Sequence, residues 1–528
     1  MHKPKLMFDH DSRHSLIYLY EPPIYKEQIE SAVDELAGTP VDAIIWTLGE
    51  GRTMLHDTKV GEKWGHNVEK WPHIVFQRAH RNLEKLIAEG NDPLQVVCEQ
   101  AHKKGMLLYP NLILQQSYTE PGTDPRSSNF RFENRHLEIG VNGDLDETFP
   151  GKTYLDFKHK EVQDERFSIV QEVLNNYPVD GFELNFNLFA PIFFHPSEVK
   201  EGQKIMTEWV RRVYEEVKRS GTDRELTVVV PLDTKLALKG GLDTLEWISQ
   251  GIVDVVVGQQ FSIGGPPDST ANFGPLVEAA KGTNCRIHGA IHSGLHSDRM
   301  NLPSIEMVRA VASNYYQQGV EGLYLAHWFA YWPYGADFYE TLRELPHEDI
   351  MAPKDKIYFV PTQSMQPVNE KVYGKIEKQL PRTLEVGETA TVNFRVSDDL
   401  NRWNGMKRLH EIILRIRIQG YTEQDSIKFA LNGKILPESL LREINRMYMM
   451  SAPRYRVGGH WFIFRLDDAH WPNHGENQLE VTLTDKDPKV RGETDLRDVE
   501  LDVKYLMGKN FHRGYSDQDL GPYDIATT

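Results

Sequence analysis

Cysteine is nearly absent from this chain of 528 residues: Cys98 and Cys285, far apart in sequence, are the two. That excludes a disulfide framework and any cysteine-rich metal centre. No apolar run approaches the roughly 18 residues that a membrane-spanning helix requires. Met1–His14 is polar and has no apolar leader core, so no secretory signal is visible. A soluble, cytoplasmic protein is expected, or a secreted or periplasmic one if a leader has been removed, with no membrane partner. Excess positive charge is missing too: Lys and Arg number 60 against 77 Asp and Glu, for a formal net charge of −17. Nucleic acids and anionic membranes need clustered cations, so neither is an expected partner. The chain also lacks a Gly-x-Ser-x-Gly nucleophile elbow, a phosphate-binding P-loop and a dinucleotide fingerprint. No cofactor is expected.

What is present is an ordinary globular composition, 40% hydrophobic and 26% charged, in a chain too long for one ordinary core. Over the first 350 or so residues, short apolar segments alternate with amphipathic helical ones, the pattern of repeated βα units. Eight strands are predicted: Ser15–Tyr20, Val41–Leu48, Met106–Leu114, Gly181–Asn187, Leu226–Pro231, Val253–Gln259, Arg286–His292 and Gly322–Trp328. Helices are predicted between them, among them Pro93–Lys104, Glu161–Asn176, Glu198–Arg219, Thr244–Gln250 and Ser304–Gln318. Eight such units fit a (β/α)8 TIM barrel. A doubly wound sheet would show a glycine-rich turn after its first strand, but Glu21-Pro22-Pro23 follows here. Long loops after strands two and three, with Trp64, Trp71, Tyr118, Phe130, Phe132, Asn134 and His136, fall on the side where such barrels open.

Beyond residue 350 the texture changes to alternating strands: Ala390–Val396, Glu411–Ile418, Ser426–Leu431, Trp461–Leu466, Gln478–Thr484 and Val499–Tyr505, with Asn432-Gly433 as a hairpin turn. The predicted organisation is a barrel over 1–356, a linker over 357–382, an all-β sandwich over 383–510 and a polar tail over 511–528. The sandwich is an accessory module or a homodimer interface.

The segment 178–194 carries the most chemistry. Phe182, Leu184 and Phe186 alternate with Glu183, Asn185 and Asn187, and large apolar residues flank the strand on both sides. A central strand that turns a carboxylate and two amides to one side needs a purpose for that polar face. Other strand ends supply Asn111, Gln259, His292, His327 and Trp328, groups suited to sugar hydroxyls or, for the indole, to stacking on a sugar ring. His292 or His327 could also act as an acid or base. Trp332 is a second stacking candidate, and core packing is the alternative fate of Trp328. His288, His292 and His296 share a spacing, yet no carboxylate or cysteine cluster accompanies them, and no metal site is expected. His10, between Asp9 and Asp11, reads as part of a solvated N-terminal segment.

Several stretches resemble the family-10-like glycoside hydrolase barrels. Asn91–Leu94 through Ala101–Gly105 is similar to the segment that precedes strand three in that group. Leu155–Phe157 with Glu161-Val162 and Tyr177–Gly181 resembles its approach to strand four. Leu245–Trp247 with Gly251–Asp254 resembles its approach to strand six. The likeness covers about residues 90–330. It implies a TIM barrel acting on carbohydrate, with functional groups at the strand ends. One departure stands out: members often carry Asp where this chain has Asn185. Leu431–Gly433 and Gly475–Val481 resemble turns of galactose-binding-like sandwiches.

Glycoside hydrolysis commonly uses two carboxyl groups flanking the bond. Glu183 is the first candidate, as acid/base or nucleophile, with a buried structural glutamate as the alternative. Asp233, directly after strand five, is the candidate partner, and a helix N-cap is its alternative. Glu50, just past strand two, follows, with a loop salt bridge as its alternative. The expected function is hydrolysis of a poly- or oligosaccharide at the C-terminal mouth of the barrel. The alternatives are a glycan-binding barrel without turnover and a histidine-based sugar lyase or isomerase.

Overall fold

The structure, a computed structural model, describes residues 3–116, 120, 122–187, 191–260, 268–295, 300, 302–362, 379–446 and 458–506. Tyr118, His296, the stretch 363–378 of the expected linker and the expected tail over 511–528 lie outside these residues.

Eight parallel strands close into a barrel. They are β1 (Leu6–His10), β2 (Ala43–Glu50), β3 (Leu107–Ile113), β4 (Gly181–Asn185), β5 (Glu225–Pro231), β6 (Val255–Gln259), β7 (Arg286–His292) and β8 (Gly322–Ala326). Each pairs with its sequence neighbours, and β1 closes the ring by pairing with both β2 and β8. Because side chains alternate, each strand serves two cores. Leu6, Phe8, Ile44, Leu108, Phe182, Val228, Ile287 and Leu323 pack outward against the helices, while Met7, Ile45, Tyr109, Val229, Val257, Ala290 and Tyr324 fill the barrel interior. Both faces are buried, which explains why these strands read as continuous apolar runs.

The first strand corrects the sequence reading. Ser15–Tyr20 does not form a strand; His14–Leu19 makes a π-helical turn. Leu16 and Ile17 are both buried in one core, an arrangement that a strand, with its opposed faces, could not give them. The strand position belongs to Leu6–His10, whose polar end is buried and not solvated. β4 and β8 also stop earlier than expected, at Asn185 and Ala326.

The C-terminal strands form two antiparallel sheets. They are β9 (Lys356–Phe359), β10 (Thr389–Val396), β11 (Leu409–Gln419), β12 (Ser426–Leu431), β13 (Leu441–Asn445), β14 (His460–Arg465), β15 (Gly475–Asp485) and β16 (Asp495–Tyr505). One sheet runs β9-β16-β11-β14-β13, with Arg382–Thr383 also on β16, and the other runs β10-β15-β12 and ends at Lys434–Ile435. Val392, Phe394, Leu414, Ile416, Phe429, Leu479 and Val499 fill the space between them. Asn432 and Gly433 have φ of 52° and 75°, the two positive values that a type I′ hairpin turn requires. Lys356–Phe359, at the expected start of the linker, is an edge strand of the first sheet. Among the described residues, no helix is long and apolar enough to cross a membrane.

Candidate active site

Alternation along β1 builds the site. Met7 lies in the barrel interior, so Asp9 follows it inward, while Phe8 packs outward on Phe338. His10 stacks on Trp46 with ring centroids 4.8 Å apart. β4 contributes Glu183 from the other side of the barrel, flanked by the outward Phe182 and Leu184. β8 contributes Tyr324, level with Met7 in the register. The Tyr324 hydroxyl donates to Glu183 Oε1 at 3.0 Å, with the Asp9 carboxyl near enough for its charge to act on both groups.

These three groups set one another's protonation. Burial pushes the Asp9 carboxyl up to about 6; the Asp11 charge adds to this, while His327 and the Tyr324 hydroxyl oppose it. Glu183 is raised well above the usual carboxylate range, first by burial and then by the Asp9 charge, with Tyr324 opposing. Burial and both carboxyl groups hold Tyr324 as a neutral phenol. Two like charges in a dry site cannot both form readily, so the Asp9 charge holds Glu183 toward its protonated form. Asp9 is 8% exposed and Glu183 0%, so Asp9 is the member nearer solvent.

A charged cluster adjoins the pair. Arg13 Nε donates to Asp11 Oδ1 at 2.9 Å, and Arg13 Nη1 to Glu50 Oε1 at 2.6 Å. Burial alone would raise Asp11, but the Arg13 guanidinium more than reverses this and leaves it lowered. Glu50 stays raised by burial despite Arg13 and Arg126. Arg126 in turn holds Asp124 through two bonds of 2.9 and 2.6 Å. Glu50 is thus salt-bridged, in a cluster that reaches Asp9 through the Asp11 charge.

The other predicted residues divide. Asn111 is buried beside Glu183 in the register. Asn185 Oδ1 accepts the Asn187 N–H at 2.9 Å, and Asn187 Nδ2 donates to the Gln260 carbonyl at 3.2 Å, so Asn187 ties the ends of β4 and β6 together. Gln259 and His292 are half-buried at their strand ends. His292 Nδ1 accepts the Gly294 N–H at 3.0 Å, so the neutral ring carries its hydrogen on Nε2. His327 directly follows β8 in a left-handed conformation (φ 59°, ψ 23°), its ring 5.1 Å from that of His292.

Two candidates lie where their structural alternatives place them. Asp233 is exposed and caps the helix Thr234–Lys239, accepting from Lys235 N at 2.8 Å and Leu236 N at 3.2 Å; the carboxyl whose charge reaches Glu183 is Asp9. Trp328 is 2% exposed, gives its indole N–H to the Ile291 carbonyl at 2.8 Å and packs on Tyr331 and Phe338, which leaves no face for a sugar ring. Trp332 is 40% exposed, with its N–H on Glu35 at 3.0 Å. The residues that the sequence reading missed are Asp9, Arg13 and Tyr324. The available signal was the apolar triplet Leu6-Met7-Phe8 just before Asp9-His10-Asp11. Among the described residues, no group of three or more His, Cys, Asp or Glu could hold a metal.

No family model matches the chain. A stretch of 125 residues is 31% identical to glycosyl hydrolase DigH of Escherichia coli K12, covering 23% of this chain and 27% of that protein. The Shigella flexneri protein of the same name matches to the same extent. The chain thus spans about a quarter of the length of the curated relatives it matches. Among solved structures it is similar to an alpha-L-fucosidase isoenzyme 2 from Paenibacillus thiaminolyticus (11% identity, 65% of this chain and 49% of that one, TM-score 0.41). It is also similar to the PgaB (BpsB) glycoside hydrolase domain from Bordetella bronchiseptica (11% identity, 65% and 98%, TM-score 0.38).

Proposed function

We propose that this protein is a glycoside hydrolase that acts on a poly- or oligosaccharide at the C-terminal mouth of its barrel, with Asp9 and Glu183 as its carboxyl pair. The observation that carries this reading is two buried carboxyl groups, Asp9 and Glu183, on the inner wall of a closed parallel barrel, interacting by charge, with the Tyr324 hydroxyl bonded to Glu183. The 125-residue similarity to a protein named as a glycosyl hydrolase supports it. Hydrolysis needs a proton for the departing sugar oxygen and a base or nucleophile at the anomeric carbon. Near neutral pH the pair holds one proton and one charge. Asp9, the more exposed member, meets the sugar; Glu183 stands one layer deeper as its acid/base partner, held by the Tyr324 hydroxyl. Asn185, Gln259, His292 and His327 bind hydroxyls around the mouth.

The test is turnover of aryl glycosides and oligosaccharides by the parent, Glu183→Gln and Asp9→Asn. Each variant is expected to lose about 10²–10⁴-fold in kcat/KM, the usual worth of an acid/base group, while remaining folded. Parent-like hydrolysis by both variants would overturn the assignment. The complete enclosure of Glu183 favours a second reading, a glycan-binding barrel without turnover. Calorimetric binding of an oligosaccharide that the parent never cleaves would select it.

A further inference from the structure

We propose that Asn111 is a positioning residue for Glu183, its Oδ1 accepting a hydrogen that the neutral glutamic acid carries on Oε2. The inference rests on the reading of Glu183 as a member of the acid/base pair, and it concerns how that member is kept protonated. Register sets Asn111 of β3, Glu183 of β4 and Thr227 of β5 side by side on the inner wall. All three are enclosed, at 1%, 0% and 0% exposure. Glu183 Oε1 is occupied by the Tyr324 hydroxyl, whereas Glu183 Oε2, Asn111 Oδ1 and Thr227 Oγ1 have no hydrogen-bond partner.

Buried polar atoms are rarely left unmet. Two acceptor oxygens on adjacent strands can bond each other only if one carries a proton. A hydrogen on Oε2 turns two unmet acceptors into one bond. The Thr227 hydroxyl is both donor and acceptor and does not decide the matter. The rest of the wall agrees. From β1, Glu183 faces the Asp9 carboxyl; from β8, the Tyr324 phenol. On β7, His288 leans over Gly322, where an added Cβ would lie 2.5 Å from its Nε2, and burial followed by Arg286 pushes its pKa down to about 3, leaving it uncharged. Arg286 itself is held by Glu225 of β5, which also accepts from Tyr109 of β3 at 2.9 Å. Among the described residues, no unpaired cation on this wall favours the charged form of Glu183.

The opposite amide orientation, with Asn111 Nδ2 toward Oε2, would instead favour the carboxylate, so the two arrangements predict opposite signs. A hydrogen bond from the neutral acid raises its pKa, and a hydrogen bond to the carboxylate lowers it. Infrared difference spectra of the full chain, without substrate, read this directly. At neutral pH the parent should show the carbonyl band of a protonated carboxyl group that Glu183→Gln removes. In Asn111→Ala that band should move to higher frequency and titrate roughly one pH unit lower. Asn111→Ser, which restores an acceptor, should move the band part of the way back; it also serves as the working variant if Asn111→Ala does not fold. Absence of the band from the parent would overturn the proposal, as would an unchanged or upward-shifted titration on losing Asn111. The readout needs no turnover, so failure of the hydrolase reading and failure of this proposal are told apart.

Discussion

Burial gives Asp9 two opposed consequences. Its carboxyl, at about 6 in the folded chain against an ordinary 3.8, binds a proton more tightly when folded than when unfolded. A raised folded value makes its stabilising contribution fully present below about pH 4, and that contribution is lost as the pH climbs through 6. Two pH units correspond to about 3 kcal/mol against the folded state at neutral pH. Asp9→Asn should therefore be inactive yet more stable than the parent by about 2–3 kcal/mol at pH 7, with the difference closing toward pH 4 in denaturant titrations. Equal stability at both pH values would show that Asp9 is not desolvated. Tyr324 gives a second prediction at this scale. Its hydroxyl opposes the rise of both carboxyl groups, so Tyr324→Phe should push both further up. The acidic limb of kcat/KM, which follows ionisation of the pair, should then move to higher pH, by roughly one unit for the loss of one hydrogen bond. A limb that stays in place would remove Tyr324 from the pair. Glu183 was legible in the sequence because a lone acid in an apolar central strand is costly without a task. Asp9 was not, since three apolar residues beside a charged triplet read equally well as a chain end.

At the scale of elements, β1 shows where local preference loses to closure. Ser15–Tyr20 is rich in residues that favour strands, and Leu6–His10 is short, yet only the latter supplies a partner edge to both β2 and β8. The other barrel strands were legible because two buried faces leave long apolar runs. Loops are governed by single polar anchors that no periodicity reveals. Glu172, on the helix Lys160–Asn176, holds the loop after β2: Thr58 Oγ1 donates to it at 2.6 Å, Lys59 N also donates, and His56 lies 3.5 Å away. Burial would raise this carboxyl, but these partners outweigh it and bring it down to about 2. A depressed value stabilises the fold above the unfolded pKa near 4.5, and that support fades as the pH falls toward 2. Glu172→Gln should cost about 2 kcal/mol at pH 7 and little at pH 2 or below, as denaturant midpoints at the two pH values would show. An equal loss at both would mean that packing, and not charge, holds the loop.

For the whole molecule, barrel and sandwich are fastened by polar contacts that the sequence pattern could not show, because each half is patterned for its own core. Asn314, on the barrel helix Ile305–Gln317, is fully buried and donates to the carbonyls of Ser269 at 2.7 Å and of Arg395, on β10, at 3.0 Å. Ser269 in turn donates its hydroxyl to the Phe359 carbonyl on β9. One amide thus joins a barrel loop, a barrel helix and a strand of each C-terminal sheet. Removing it leaves two carbonyls buried without a donor, at a cost of about 1–3 kcal/mol each. Asn314→Ala should lower stability by about 2–6 kcal/mol on that account. Its signature lies in cooperativity: the parent should melt in one calorimetric transition, and the variant should separate into a barrel and a sandwich component. Asn314→Asp, which keeps the shape but loses the amide donors, should behave like the alanine variant. A variant that melts as the parent does would mean that apolar packing between the halves, and not this amide, makes them unfold together.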